Sequence, residues 1–143
     1  MDNSTLGILV VDDEETVLCF AARCLEMQGY RVLKAHNAEQ ALALLRDDLS
    51  QVSLLITDIN MPGISGIQLA DAFVSLHPSA AVLFMSGGQV PAGLPSLGLT
   101  VRYLSKPFEA STLRQCVTAI LQNASSSDHG PRGAYGAHLG FIV

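Results

Sequence analysis

The chain has 143 residues, a length that suits one ordinary domain and not two. It is 49% hydrophobic and 15% charged, which excludes a disordered chain and points to a packed core. A formal net charge of −5 at pH 7 argues against sequence-independent nucleic-acid binding, which needs a basic surface.

Ile8 to Val11 is a short, wholly apolar run, as a central parallel strand requires. Asp12, Asp13, Glu14 and Glu15 follow, and acidic residues suit the first turn of a helix. A helix from about Glu15 to Gln28 puts Val17, Phe20, Ala21, Cys24 and Leu25 on one stripe, with Gly29 at its C-cap. Tyr30 to Ala35 mixes apolar and charged residues and reads as an edge strand. Asn37 and Gln40 fit a capping-box-like start to a second helix, whose buried face carries Ala41, Leu42 and Leu45.

Leu54 to Asp58 is the third strand, closed off by Pro62 and Gly63. A third helix runs from about Gly66 to Leu76, with Leu69, Ala70 and Phe73 inward, and His77-Pro78 stops it. Ala81 to Met85 is a fourth, wholly apolar strand. Residues 87–98 hold four glycines and two prolines, so any fourth helix there is short or irregular. Val101 to Ser105 is a second mixed strand, and a last helix from about Ala110 to Gln122 buries Leu113, Val117, Ile120 and Leu121. The order is β-α repeated five times, which selects an α/β, flavodoxin-like doubly wound fold with a five-stranded parallel sheet of order 2-1-3-4-5. The mixed strands, second and fifth, are expected at its edges. Residues 1–122 form the folded domain, and the Ser- and Gly-rich stretch 123–143 reads as a tail or linker, dispensable for folding. Its Phe141-Ile142-Val143 is the one feature there with the means to dock.

In that order the carboxyl ends of the first, third and fourth strands are neighbours, and ligands of open α/β sheets bind outside such ends. Those ends carry Asp12 and Asp13, Asp58, and Ser86; the fifth strand adds Lys106. Clustered carboxylates repel one another and ask for a cation, and oxygen-only ligands favour a hard ion, Mg2+ or Mn2+. Each residue alone has a plainer reading. Asp12 or Asp13 is a helix cap, Asp58 or Ser86 a turn residue, Lys106 a solvated lysine and Tyr103 core packing. Polar groups at the ends of four strands, all at one end of the sheet, are poorly explained by those readings taken one at a time.

No apolar stretch is long enough to span a bilayer, and Met1 to Thr5 lacks a signal-peptide pattern. Cys19, Cys24 and Cys116 have no metal-ligand spacing and read as reduced thiols of a cytoplasmic protein.

Val11-Asp12-Asp13, Thr57-Asp58-Ile59-Asn60-Met61-Pro62-Gly63, Phe84-Met85-Ser86-Gly87 and Tyr103-Leu104-Ser105-Lys106-Pro107-Phe108 together resemble the signature of response regulator receiver domains of the chemotaxis-regulator type. The resemblance covers about Leu6 to Gln122. The wording around Ser86 also resembles receivers attached to hybrid histidine kinases. The resemblance implies that Asp58 is the phosphoacceptor of a two-component phosphorelay. It implies that Asp13 and Asp58 bind Mg2+ directly, Asp12 through water, and Asn60 through its carbonyl. It further implies that Lys106 holds a phosphoryl oxygen, that Ser86 and Tyr103 form the switch, and that the Lys106-Pro107 bond is cis. The implied partners are a sensor histidine kinase or phosphotransfer protein and a downstream target protein, with no direct nucleic-acid contact.

Two other classes share parts of this pattern. Haloacid-dehalogenase-type phosphatases also use an aspartyl nucleophile with Mg2+, but their acid/base Asp is replaced here by Asn60, which cannot transfer a proton that way. Flavodoxins place a phosphate loop after the first strand, where Asp12 and Asp13 would repel it. About twenty residues follow Gln122, too few for a DNA-binding domain. A stand-alone regulator and a receiver excised from a larger kinase both fit.

Overall fold

The computed structural model describes residues 6–47, 52–88, 101–126 and 141–142. In chain order they form β1 (Gly7–Val11), α1 (Glu15–Glu26), β2 (Arg31–Ala35), α2 (Ala38–Asp47), β3 (Val52–Asp58), α3 (Gly66–Leu76), β4 (Ala81–Ser86), β5 (Val101–Ser105), α4 (Ala110–Ser126) and β6 (Phe141–Ile142). All pairings are parallel, and the order is β2-β1-β3-β4-β5-β6. The expected 2-1-3-4-5 order is therefore present. One difference lies at its outer side: β5 is not the last strand, because Phe141 and Ile142 pair with Tyr103 and Leu104.

Strand composition explains the layering. β1 and β4 are buried at every residue and β3 at all but Ser53, whereas β2 is mostly half-buried, as an edge strand with Arg31 and Lys34 must be. Alternate residues feed opposite faces. Ile8, Val10, Leu54, Ile56, Leu83 and Met85 pack with α1 and α4. Leu9, Val11, Leu55, Val82 and Phe84 pack with α2 and α3.

The helices keep most of their expected faces. Leu69, Ala70 and Phe73 of α3 are buried, as are Leu113, Val117, Ile120 and Leu121 of α4. In α2, Ala41 and Leu45 are buried and Leu42 is half-buried. The Asn37 side chain caps α2 by accepting from the Gln40 amide at 2.8 Å, while the Gln40 side chain accepts from the His36 amide at 2.7 Å. In α1 the stripe is rotated from expectation. Leu18, Ala21, Ala22 and Leu25, spaced i, i+3, i+4, i+7, face the sheet. Phe20 is 44% exposed and leans on Phe108, ring centroids 6.0 Å apart. α1 ends at Glu26, two residues before Gln28, and Gly29 takes φ +94°, the left-handed conformation that a C-cap glycine adopts most easily. α4 runs to Ser126, four residues beyond Gln122. Of the stretch 87–98, where a short or irregular fourth helix is expected, residues 89–98 lie outside the described residues.

Candidate functional site

Strand register brings the polar residues together. Val11 lies opposite Thr57, Thr57 opposite Phe84, and Phe84 opposite Tyr103. One residue further along, Asp58, Met85 and Leu104 form the next row. Asp12 extends β1 by donating its amide to the Ala35 carbonyl at 3.2 Å. Asp12 and Asp58 are thus carried to the same end of adjacent strands by backbone ladders, and both are buried. Asp13 is exposed beside them. One carboxylate oxygen from each of Asp12, Asp13 and Asp58 lies within 4.8 Å of the others.

The loop after β3 is fixed by a close approach. The Gly66 amide donates to the Ile59 carbonyl at 2.9 Å, and a Cβ at position 66 would stand 1.9 Å from the Asp58 carbonyl oxygen. Only glycine lets α3 begin so near β3. Ser65 and Gln68 form a capping box at that helix start, each side chain bonding the other's amide. The Ile59 amide donates to Met85 O at 3.0 Å, and the Asn60 amide donates to Asp58 Oδ1 at 3.3 Å. Both ends of the carboxylate's short turn are therefore anchored.

Lys106 enters from the end of β5. Its amide donates to Ser86 O at 2.8 Å, continuing the ladder between β5 and β4. The peptide between Lys106 and Pro107 is cis, as the resemblance implied. The side chain is 12% exposed, with Nζ 2.8 Å from Asp12 Oδ2, 3.2 Å from Glu14 Oε1 and 3.4 Å from Asp58 Oδ2. Glu14 was read from sequence only as a helix-start acid; its pairing with Lys106 was missed. Its position two residues after Asp12 was the available signal.

Burial pushes the Asp58 carboxyl above its ordinary value; Lys106 pulls it down and Asp12 pushes it up again. Burial acts to lower Lys106, but hydrogen bonding and charge from Asp12, with Asp58 and Glu14 behind it, leave it raised and firmly cationic. The two shifts do not mirror each other because Lys106 sits nearer Asp12 than Asp58 and so neutralises Asp58 only in part.

Asp12 also serves as the cap its plainer reading suggested, since Oδ1 accepts the Glu14 amide at 2.8 Å. Its other oxygen, Oδ2, is buried with no aligned hydrogen-bond donor beyond the Lys106 ion pair. A buried carboxylate oxygen left in that state, beside two more carboxylates, fits a hard divalent cation.

Ser86 and Tyr103 are placed beside this centre. The buried Ser86 hydroxyl donates to Gly88 O at 3.1 Å and accepts the Gly88 amide at 3.2 Å. Tyr103 is half-buried, and its ring stacks on Phe84 with centroids 5.5 Å apart and planes 22° apart. Burial raises its phenol. A cleft of about 460 Å³ opens next to Lys106, lined by Glu14, Thr16, Val17, Phe20, Gly87, Pro107 and Phe108. Among the described residues no helix is long and apolar enough to cross a membrane.

Known proteins resemble the chain in both sequence and fold. The family model of the response regulator receiver domain matches residues 8–118. The transcriptional regulatory protein CpxR of Escherichia coli is 34% identical over 122 residues, covering 85% of this chain and 51% of CpxR. The chain therefore spans about half the length of that relative. The solved receiver domain of the hybrid histidine kinase CckA is 36% identical with a TM-score of 0.69, covering 80% of this chain and 98% of that one. The chemotaxis protein CheY4 of Vibrio cholerae superposes with a TM-score of 0.73 at 25% identity, covering 81% and 98%. A receiver family model matched over most of the chain, on a sheet of order 2-1-3-4-5 with its acidic residues at one end, makes this chain a member of the response regulator receiver domain family.

Proposed function

We propose that the chain is a phosphoacceptor receiver, that Asp58 takes the phosphoryl group, and that the donor is a phosphohistidine on a sensor histidine kinase or phosphotransfer protein. The observation that carries this reading is Lys106 Nζ held between Asp12 and Asp58 at a buried strand end, with Asp13 beside it. An Asp58 carboxylate oxygen attacks phosphorus as the P–N bond breaks, and its electron pair leaves with the imidazole. Both reactants are anionic, so the step needs positive charge between them. Asp12, Asp13, Asp58 and the Asn60 carbonyl would hold Mg2+ or Mn2+, which supplies that charge when bound. Lys106, already within reach of Asp58, turns to a phosphoryl oxygen once the new charge outcompetes Asp12.

The phosphorylated Asp58 carries extra negative charge and acceptor oxygens. Ser86 must leave its bonds with Gly88 to reach them, and this exchange gives the two states different contacts. Tyr103, one strand further out, then follows Ser86 and alters the face around β5 that a downstream target protein reads. We assign the receiver to residues 1–122 with a tail over 123–143, working in the cytoplasm without binding nucleic acid directly. The chain is a switch that catalyses its own phosphotransfer and slow dephosphorylation.

The test is intact mass after incubation with a small-molecule phosphodonor and Mg2+. One phosphoryl group is expected on the wild type and none on Asp58→Asn or in EDTA. A stable adduct in Asp58→Asn, or full labelling in EDTA, overturns the assignment.

A further inference from the structure

The sixth strand has no part in the chemistry above, but it lies against β5, whose surroundings the reading above gives to a downstream target. β5 pairs on its inner side with β4, residue for residue from Val101 to Ser105. On its outer side, among the described residues, it pairs with two, Phe141 and Ile142. These continue two rows that cross the sheet: Thr57, Phe84, Tyr103, Phe141, and Asp58, Met85, Leu104, Ile142. β6 therefore docks at the same end of the sheet as the acidic cluster, three strand spacings, or roughly 14 Å, from β3. An open strand edge recruits extended chains through its unpaired amides and carbonyls, and a parallel partner must arrive from a distant part of a chain. Here the partner comes from beyond α4, joined to it through residues 127–140.

We propose that the outer edge of β5 is a docking edge for an extended apolar segment in parallel register, and that Phe141–Ile142 of the same molecule is its resident, displaceable occupant. The sequence around the pairing, Phe141-Ile142-Val143, is apolar and rich in β-branched residues, which suits strand addition. A two-residue strand is too short to hold its place from free solution. Covalent attachment changes that, because it raises the local concentration of the segment to the order of 1 mM. A weak pairing is then well populated and still easily displaced. Any partner that adds a strand to β5 must first compete with this segment, so the chain carries its own competitor at Tyr103 and Leu104. The proposal does not depend on chemistry at Asp58.

The experiment uses the full chain and the full chain carrying Ile142→Pro, which removes one backbone donor and disfavours strand pairing. Amide hydrogen exchange is followed across Val101–Ser105, and a labelled synthetic peptide of residues 136–143 is titrated into both proteins. Ile142→Pro should melt with the wild type. Its β5 amides that point away from β4 should exchange severalfold faster, while those of β1 and β3 are unchanged. The peptide should bind Ile142→Pro at least about threefold more tightly than the wild type, because the resident strand no longer competes. Equal exchange in the two proteins, or equal peptide affinity, overturns the proposal. Sedimentation separates the remaining case: if β5 protection rises with protein concentration and the chain sediments as a dimer, the occupant belongs to a second copy and the intramolecular assignment fails.

Discussion

Glu14 and Glu15 are adjacent, yet they face two different charge clusters. Glu14 reaches Lys106, whose Nζ also meets the buried Asp12 and Asp58. Glu15 pairs with His36 across the exposed surface between α1 and β2, and its other oxygen accepts a bond from the Cys19 thiol at 3.0 Å. Each cluster sets a nitrogen base against carboxylate, Lys106 in one and His36 in the other. They differ in water. In the first, Lys106, Asp12 and Asp58 are shielded, although Glu14 is 60% exposed, and loss of Lys106 would leave uncompensated buried charge. In the second, the side chains of His36 and Glu15 are 50% and 66% exposed, so solvent and salt screen the attraction. The comparison teaches that an ion pair found at the start of α1 says little by itself; its burial decides whether it shapes the protein.

The sharpest way to test that contrast is to remove the buried cation. We expect Lys106→Met to lose about 3 kcal/mol of stability in EDTA, measured by urea denaturation, because Asp12 and Asp58 are left facing each other. With Mg2+ at about 100 times its dissociation constant, binding alone supplies about 2.7 kcal/mol to wild type and variant alike, so both should gain stability while the deficit between them changes little. Mg2+ affinity itself should be similar or slightly better in the variant, since a competing ammonium is gone. A variant that gains no stability from Mg2+ would show that the cation does not reach these carboxylates.

A smaller effect of opposite sign is expected at Asp58. The folded chain holds the Asp58 proton more tightly than the unfolded chain does, chiefly because of burial. Stability from this group is therefore complete below the unfolded value near 3.8 and is lost as pH rises through the higher folded value. Without metal, Asp58→Asn should raise Tm at pH 7 by roughly 2–5 °C, and the gain should vanish toward pH 3.5. Thermal melts in EDTA at the two pH values check this, and a variant less stable than wild type at pH 7 would contradict it.

The smallest effect belongs to the exposed pair. His36 is raised, first by its hydrogen bond to Glu15, and Glu15 is lowered, first by its bond to Cys19 and then by His36. The Glu15 contribution is present above its ordinary value of 4.5 and lost as pH falls through the lowered one. The His36 contribution is present below 6.5 and lost as pH rises through the raised one. We expect His36→Gln to melt within a degree or two of wild type, with its largest deficit between about pH 5 and 6.5 and none in 0.5 M salt. A large deficit that persists in high salt would break the contrast between the two clusters.

The sequence made the buried cluster readable because its parts announce themselves locally. An apolar run ending in Asp58 before Asn60-Met61-Pro62, and another ending in Asp12-Asp13, can hardly be anything but strand ends, and register does the rest. Lys106 was found by the same logic. Glu14 was hidden because an acid in a first helical turn already has a sufficient explanation. Phe20 was placed inward because its spacing from Val17, Ala21 and Cys24 fits a stripe almost as well as the true one centred on Leu18, Ala22 and Leu25. The Ser65–Gln68 capping box was legible as Ser-x-x-Gln and was passed over. The seat of Phe141 and Ile142 was not legible at all. Two residues have no period, and a pairing with β5 joins parts of the chain nearly forty positions apart.

Gly66 has a consequence for anyone reading a mutational scan of this chain. It has no functional group and makes no ion pair, yet even one added methyl would strike the carbonyl of Asp58, the proposed phosphoacceptor. Losses of signalling at position 66 would cluster with those at Asp58 and Lys106, and they would arise with every side chain of the reaction intact. A map of essential positions would thus be larger than the set of reacting groups, and the surplus would mark where a backbone, rather than a side chain, is the part under selection.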